Sequence, residues 1–137
     1  MLLDDLGGAD PSVVVNELEI AAPRTWRYDF GTATSPVEPG YTAVLHTTAY
    51  SGAQGFGWSS GTIDGRNRSS GTNLSRDLNF GADGTLLVDV PNGIYDVTLI
   101  SGDAASAHDQ AGVFLEGVQL DTITTAKNQW VARVYHV

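Results

Sequence analysis

A loop rich in polar side chains carries the first residues that could do chemistry. The stretch "GDAASAHDQ" places Asp103, His108 and Asp109 between two apolar segments, and loops between strands often carry binding residues. His108 and Asp109 are adjacent, and adjacent side chains rarely both reach one metal ion. Two interpretations of His108 stay open: contact with a ligand, or a loop histidine held by local hydrogen bonds. We predict His108 and Asp109 as ligand-binding residues.

A second group combines arginines with aromatic residues. The segment "IDGRNRSSGTNLSR" carries Arg66 and Arg68, and Tyr50 and Trp58 precede it in the chain. Aromatic rings stack on the apolar faces of sugars, and guanidinium groups bind hydroxyls or carboxylates. We therefore predict that these four residues form a platform for a sugar or a uronate. The alternative is a solvated loop whose arginines offset an acidic surface.

The stretch "GWSSG" formally matches the nucleophile motif G-x-S-x-G around Ser59. That motif needs a strand, a sharp turn and a helix, with an acid and a histidine later in the chain. No helix is predicted after Ser59, and the chain is too short for the fold that uses this motif. We therefore predict a glycine-rich strand and loop in which Trp58 is packed or presented to a ligand, no catalytic residue, and no enzymatic activity.

The stretch "LDDLGGADP" offers the carboxylates of Asp4, Asp5 and Asp10, and carboxylate oxygens suit calcium. The spacing differs from that of an EF-hand loop. The first interpretation is a turn in which Asp10 caps the backbone and Pro11 fixes it. A structural calcium ion is the alternative, and no other cofactor is predicted.

Composition limits the class of protein and of partner. A length of 137 residues fits one domain. The formal net charge of −9 repels phosphate backbones and anionic lipid surfaces, so neither nucleic acid nor a membrane is expected as a partner. The chain has no cysteine, which excludes disulfides, thiolate zinc sites and cysteine nucleophiles.

The elements that must position these residues are strands. "SVVVNELEI", Ser12 to Ile20, predicts one strand, and the next segment places Trp26, Tyr28 and Phe30 on one face. Turn signals recur about every 8 to 12 residues from Arg76 onward, as in sandwiches and jelly rolls. "GADG" and "PNG" predict tight hairpins. The fold class is all-β, an antiparallel β-sandwich.

Several phrases together resemble a known family. They are "YDFGTATSPVEPGYTAV", "YSGAQGFGW", "GTLLVDVPNGIYDVTLISGDAASAHD", "VFLEGVQLDTITT" and "LDDLGGADPSVVVNELEI". They resemble the galactose-binding-like, malectin-like jelly roll attached to rhamnogalacturonan acetylesterases and other bacterial polysaccharide-degrading or surface proteins. The resemblance implies non-catalytic carbohydrate recognition, with a pectic polysaccharide as partner, in a secreted or cell-surface bacterial protein. The sequence would then be a fragment without its signal peptide.

The order of the phrases differs from that of the family. There, a segment like residues 1–20 closes the domain, whereas here it comes first. We expect a single domain in which residues 1–20 are the displaced last strand, 21–25 a linker and 26–137 the remainder. Two outcomes stay open: a circular permutant that completes its own sheet, or a subunit that donates the strand to a neighbour and assembles into a filament or fibre.

Overall fold

The computed structural model describes residues 1–6, 12–21 and 24–137, and none of these residues lies in a helix. The described residues form thirteen strands. These are β1 Leu2–Asp5, β2 Val13–Val15, β3 Glu17–Ala21, β4 Thr25–Gly31, β5 Thr42–Leu45, β6 Phe56–Ser60, β7 Asp64–Asn67, β8 Asp77–Gly81, β9 Asp83–Val88, β10 Asp96–Asp103, β11 His108–Leu115, β12 Val118–Thr125 and β13 Gln129–His136.

The strands form two five-stranded sheets and one small sheet. The first sheet has the order β12-β11-β1-β9-β6, the second β13-β10-β3-β4-β5, and the three-stranded sheet β2-β8-β7. The pairs between named strands are antiparallel apart from β4 with β5. The all-β sandwich predicted from the sequence is confirmed.

The core lies between the two large sheets. Inward side chains of the second sheet, such as Leu18, Phe30 and Leu99, meet Leu86 and Val113 of the first, and all five are almost fully buried. Burying aliphatic and aromatic side chains of this size stabilises a fold by about 1.5–3 kcal/mol each. The predicted alternation in β4 is present, because Tyr28 and Phe30 point into this core and Trp26 packs against it.

Strands β1, β2 and β3 pair with other strands of the same chain. Strand β1 lies between β11 and β9, and β3 lies between β10 and β4, so both occupy interior positions of their sheets. Of the predicted linker, residues 22–23 lie outside the described part of the chain. Asp10, Pro11 and the side chain of Asp5 also lie outside it, so the predicted capped turn and its calcium alternative stay predictions.

The prediction of one strand from Ser12 to Ile20 was wrong. The chain breaks at Asn16, and the two halves join different sheets, β2 with β8 and β3 with β10 and β4. The buried Asn16 amide donates to the Asp77 carbonyl at 2.7 Å, and its own backbone N–H donates to the Ile100 carbonyl. Contacts far away in sequence therefore set the break.

The hairpins predicted at "GADG" and "PNG" are also wrong. Strands β8 and β9 belong to different sheets, as do β9 and β10, so both turns lead the chain from one sheet to another. A tight hairpin instead joins β11 to β12 at Glu116 and Gly117, whose φ angles are 51° and 78°. Two successive positive φ values are typical of the turn that matches the twist of paired strands.

Candidate ligand-binding cleft

An open cleft of about 330 Å³ lies at the end of the sandwich where β10 finishes and β11 begins. We call it the arginine cleft. Strand β7 supplies Arg66, the residue after its end is Arg68, and the predicted polar loop joins β10 to β11 beside them. The lining includes Arg66, Arg68, Phe80, Asp103 and His108, with Ser12 beside them.

The cleft is built on an ion pair between the half-buried Arg68 and the buried Asp103. Arg68 donates from Nε to Asp103 Oδ1 at 2.8 Å and from Nη2 to Asp103 Oδ2 at 2.7 Å. The Ala105 N–H donates to Oδ1 as well, at 2.8 Å. Asp103 is only 1% exposed. A bidentate pair of this kind fixes the planes of both groups and so holds the guanidinium in one orientation.

The electrostatics of Asp103 follow from these contacts. Burial by itself raises the pKa of the Asp103 carboxyl, but the hydrogen bonds from Arg68, Ala105 and His108 outweigh it and hold the pKa below its usual value. The same pair raises the pKa of Arg68 further above its usual value. Asp103 is therefore ionised at neutral pH and stabilises the cationic partner.

His108 is almost buried and bridges two residues. Its Nε2 lies 3.3 Å from Asp103 Oδ2, and its Nδ1 lies 3.0 Å from Ser12 Oγ. A serine, a histidine and an aspartate in line resemble a hydrolytic triad. Here, however, the carboxylate makes its shorter hydrogen bonds to Arg68, which compensates the charge that a triad uses to stabilise an imidazolium. The arrangement fits an ordered group of polar side chains at the base of the cleft better than a catalytic nucleophile with its general base.

Arg66 forms the more exposed side of the cleft. Its Nη1 donates to Asp64 Oδ2 at 2.7 Å, and its guanidinium carbon lies 4.8 Å from the centre of the Phe80 ring. At this distance the cation is attracted to the face of the ring, and the exposure of Arg66 leaves its guanidinium accessible to solvent. Arg66 and Phe80 together give this side of the cleft N–H donors next to an apolar ring.

The other predicted site residues lie elsewhere. Trp58 is only 8% exposed: it packs edge to face on Phe30, with 5.9 Å between ring centres, and donates to Asn79 Oδ1 at 3.3 Å. It is a core residue, which agrees with the interpretation that Trp58 is packed rather than presented to a ligand. Asp109 is half-buried beside His108, and the described lining of the cleft does not include it.

Tyr50 lies at the opposite end of the sandwich. Its hydroxyl is 3.1 Å from both carboxylate oxygens of Asp89, which follows the end of β9. Asp89 lines a second open cleft, of about 620 Å³, together with Asn92, Tyr95 and Glu116. The six predicted residues therefore divide: three line the arginine cleft, one lies next to it, one is in the core and one is at the far end.

The sequence analysis missed Ser12 and Phe80 as lining residues and did not include Asp103 in the ligand set. Ser12 directly precedes β2 and Phe80 lies in β8, so only the pairing of β7 with β8 brings Phe80 under Arg66. Ser59, the candidate nucleophile, donates from its hydroxyl to the Thr85 carbonyl at 3.1 Å within paired strands. Among the described residues, no helix has the length and apolar character needed to cross a membrane.

Comparison with known proteins places the fold in a family. Residues 26–134 match the family described as "Beta-agarase/YXIM esterase-like, galactose-binding domain-like". The chain is similar to beta-agarase A of Zobellia galactanivorans, with 37% identity over 123 residues, covering 82% of this chain and 21% of that protein.

It is also similar to the uncharacterized esterase YxiM of Bacillus subtilis, with 30% identity over 110 residues, covering 76% of this chain and 27% of that protein. The chain thus spans about a quarter of the length of these curated relatives. No solved structure gives a significant match. The chain belongs to the β-agarase/YXIM esterase-like family of galactose-binding-like domains, the class that its sequence phrases resembled.

Proposed function

We propose that this domain is a non-catalytic carbohydrate-binding module that binds polysaccharide in the arginine cleft. One observation carries the proposal: Arg66, Arg68 and His108, predicted separately from two segments, line one open cleft over a partly buried ion pair. A receptor whose charged groups are already fixed loses little entropy on binding a ligand. Membership of a galactose-binding-like family supports the sugar as the ligand class.

We propose a pectic polysaccharide as the ligand. Arg66 uses Nη1 for its contacts with Asp64 and with the Gly65 carbonyl, so its remaining N–H groups can meet a uronate carboxylate. Phe80, half-buried in the cleft lining beside Arg66, adds apolar contact area for a sugar. One relative is named a beta-agarase, so agarose is the neutral comparison ligand.

Calorimetric titration with polygalacturonate and with agarose oligosaccharides tests the proposal. Arg66→Ala should weaken polygalacturonate binding at least about tenfold, on the scale of one lost charge-assisted hydrogen bond. Arg133→Ala is the matched control, since Arg133 also pairs with one aspartate at the surface. Binding of agarose but not polygalacturonate would reject the pectic ligand and keep the module. Absence of binding to either, and to a wider set of glycans, would contradict the proposal.

Tyr50 enters the proposal as a contact beside the second cleft, whose lining includes its partner Asp89. Its hydroxyl is held by Asp89 at the end of the sandwich away from the arginine cleft. Tyr50→Ala should then weaken binding of a long polysaccharide more than that of a short oligosaccharide, because only a long chain reaches both clefts. An equal effect on both ligand lengths would remove Tyr50 from the site. Asp109→Asn tests the sixth predicted residue in the same titration.

Hydrolysis is a second candidate, because Ser12, His108 and Asp103 lie in line. We expect no activity, since Arg68 binds both oxygens of Asp103. Release of nitrophenol from p-nitrophenyl acetate measures this directly, with Ser12→Ala as the control. A rate above that of Ser12→Ala, with saturation kinetics, would overturn the non-catalytic assignment.

Assembly through residues 1–20 is the alternative function. The pairing of β1 and β3 inside their own sheets supports a self-contained domain, and donation to a neighbour would have to open both sheets. Sedimentation velocity at high concentration should give a monomer. Particles that disappear when residues 1–20 are deleted would favour strand donation. We also propose a secreted or cell-surface bacterial setting, where polysaccharide is accessible.

A further inference from the structure

A second buried acidic region lies away from both clefts. Asp29 in β4 and Asp77 at the start of β8 are 4% and 1% exposed. They line a small, partly open cavity of about 10 Å³ together with Gly31 and Ser35, and we call it the acidic cavity. This volume corresponds to one water-sized sphere, so it is large enough for one water molecule or one ion.

The carboxylate of Asp77 accepts no hydrogen bond of normal length and angle from the described residues, although both of its oxygens are buried. Burial raises its pKa, and the nearby Ser35 hydroxyl and Arg76 guanidinium offset that rise only in part. Asp29 accepts one hydrogen bond, from the Glu38 N–H to Oδ2 at 2.7 Å. Within the described part of the chain, neither aspartate forms an ion pair with a lysine or arginine. Burying two carboxylates in this way is costly unless a cation compensates them.

The backbone beside the cavity is kept free of side-chain atoms. A Cβ at Gly31 would lie 2.9 Å from Ser35 Oγ and 3.0 Å from Asp77 Oδ2, closer than such contacts normally occur. Glycine at this position therefore lets the hydroxyl and the carboxylate approach the same point. Gly31 and Asp29 both belong to the phrase "YDFGTATSPVEPGYTAV", which the arginine cleft does not use.

We propose that the acidic cavity binds a calcium ion through the carboxylates of Asp29 and Asp77, with Ser35 Oγ as a further oxygen ligand. Calcium accepts six to eight oxygen ligands of mixed type in flexible geometry, and magnesium requires a stricter octahedron. The described residues hold no cluster of three histidine, cysteine or acidic side chains around one point. The remaining ligands would then have to be backbone carbonyls and water, and the ion would tie the loop after β4 to β8.

Thermal unfolding and calorimetry test the site on protein freed of metal with a chelator. Calcium chloride should raise the melting temperature by about 5–10 °C at saturating concentration and titrate with a stoichiometry of one, and magnesium chloride should do neither. Asp77→Asn and Asp29→Asn should each abolish the calcium response. Asp121→Asn, which changes a surface carboxylate, should keep it.

A further pair of variants separates this site from the turn predicted near the N-terminus. Asp10→Asn should leave the calcium response intact. Loss of the response in Asp10→Asn together with its retention in Asp77→Asn would overturn the proposal, as would a wild-type protein that shows neither heat nor a shift. Ser35→Ala, which keeps both carboxylates, should weaken calcium binding at least threefold and serves if an aspartate variant fails to fold. An unchanged affinity in Ser35→Ala would remove Ser35 from the ligand set.

Discussion

Two buried aspartates of this domain face the same physical problem and meet it in opposite ways. Asp103 and Asp77 are each 1% exposed. Asp103 receives two hydrogen bonds from Arg68 and one from a backbone N–H, whereas the carboxylate of Asp77 receives none of normal length and angle from the described residues. The protein itself compensates the first carboxylate, and it leaves the second open to a proton or a metal ion.

This difference separates the roles of the two regions. In the arginine cleft, Arg68 and Asp103 together carry no net charge and hold each other in one orientation. A ligand bound there can replace its water with N–H groups that are already fixed. In the acidic cavity, burial raises the pKa of Asp77, and it raises the pKa of Asp29 to about 6 with smaller contributions from the neighbouring carboxylates. A small acidic cavity with so few donors to its carboxylates suits protons or metal ions rather than sugars.

The largest expected effect comes from removing the compensating charge. Arg68→Ala leaves Asp103 buried without its cation, and breaking a buried pair from one side typically destabilises a protein by about 3–5 kcal/mol. Urea unfolding measures the loss in free energy of unfolding. Asp103→Asn introduced into the Arg68→Ala background should recover part of the loss, because the unpaired charge disappears. A single variant as stable as the wild type would show that the pair contributes nothing.

A smaller effect of opposite sign is expected from the pH dependence of Asp29 in chelator-treated protein. Its folded pKa of about 6 exceeds the unfolded value of about 3.8, so the folded state binds more protons between these values. Stability should therefore increase by up to about 2–3 kcal/mol as the pH falls from 7 to 4. Urea unfolding across this range measures the slope, and Asp29→Asn should reduce it to the part that comes from other carboxyls whose pKa burial raises, such as Asp77.

The contribution of Asp103 to stability should depend on pH in the opposite direction. Because the folded pKa of Asp103 is lowered, its contribution is fully present above its unfolded pKa of about 3.8 and is lost as the pH falls further. In Asp29→Asn protein, stability should thus fall only below about pH 4. A loss of stability that already begins near pH 6 in this variant would contradict the assignment of opposite shifts.

A fourth prediction concerns the charge of Asp77. In metal-free protein at pH 7.5, Asp77→Asn should raise the free energy of unfolding by about 1–3 kcal/mol, the scale of an uncompensated buried polar group. The same substitution should lower stability relative to wild type once calcium is added. Chemical unfolding with and without calcium checks both signs. A variant that is destabilised in both conditions would indicate that Asp77 is compensated by contacts of its own.

The sequence predicts the local parts of this molecule and misses the long-range ones. The alternation of Trp26, Tyr28 and Phe30 follows from side-chain period, and the phrases of the family carry the fold class. The break at Asn16 is invisible locally, because its side chain bonds the carbonyl of Asp77, 61 positions away.

In the candidate site, too, the sequence predicts local features and misses long-range contacts. Arg68 and His108 are recognisable from residue type and loop context, but the ion pair of Arg68 with Asp103 joins residues 35 positions apart. The burial of Trp58 follows from its place in β6 facing Phe30, and aromatic content does not distinguish a core ring from a ring presented to a sugar.

The smallest expected effect on stability concerns an exposed ion pair, for comparison with the pair of Arg68 and Asp103. Arg66 and Asp64 form a pair whose side chains are 45% and 53% exposed, and solvent screens such a pair. Arg66→Ala should therefore change the free energy of unfolding by at most about 1 kcal/mol, as should Arg133→Ala, although both pairs have the same chemistry as Arg68 with Asp103. Since stability is preserved, a loss of polysaccharide affinity in Arg66→Ala alone would report contact with the ligand, and a loss in both variants would report general surface charge instead.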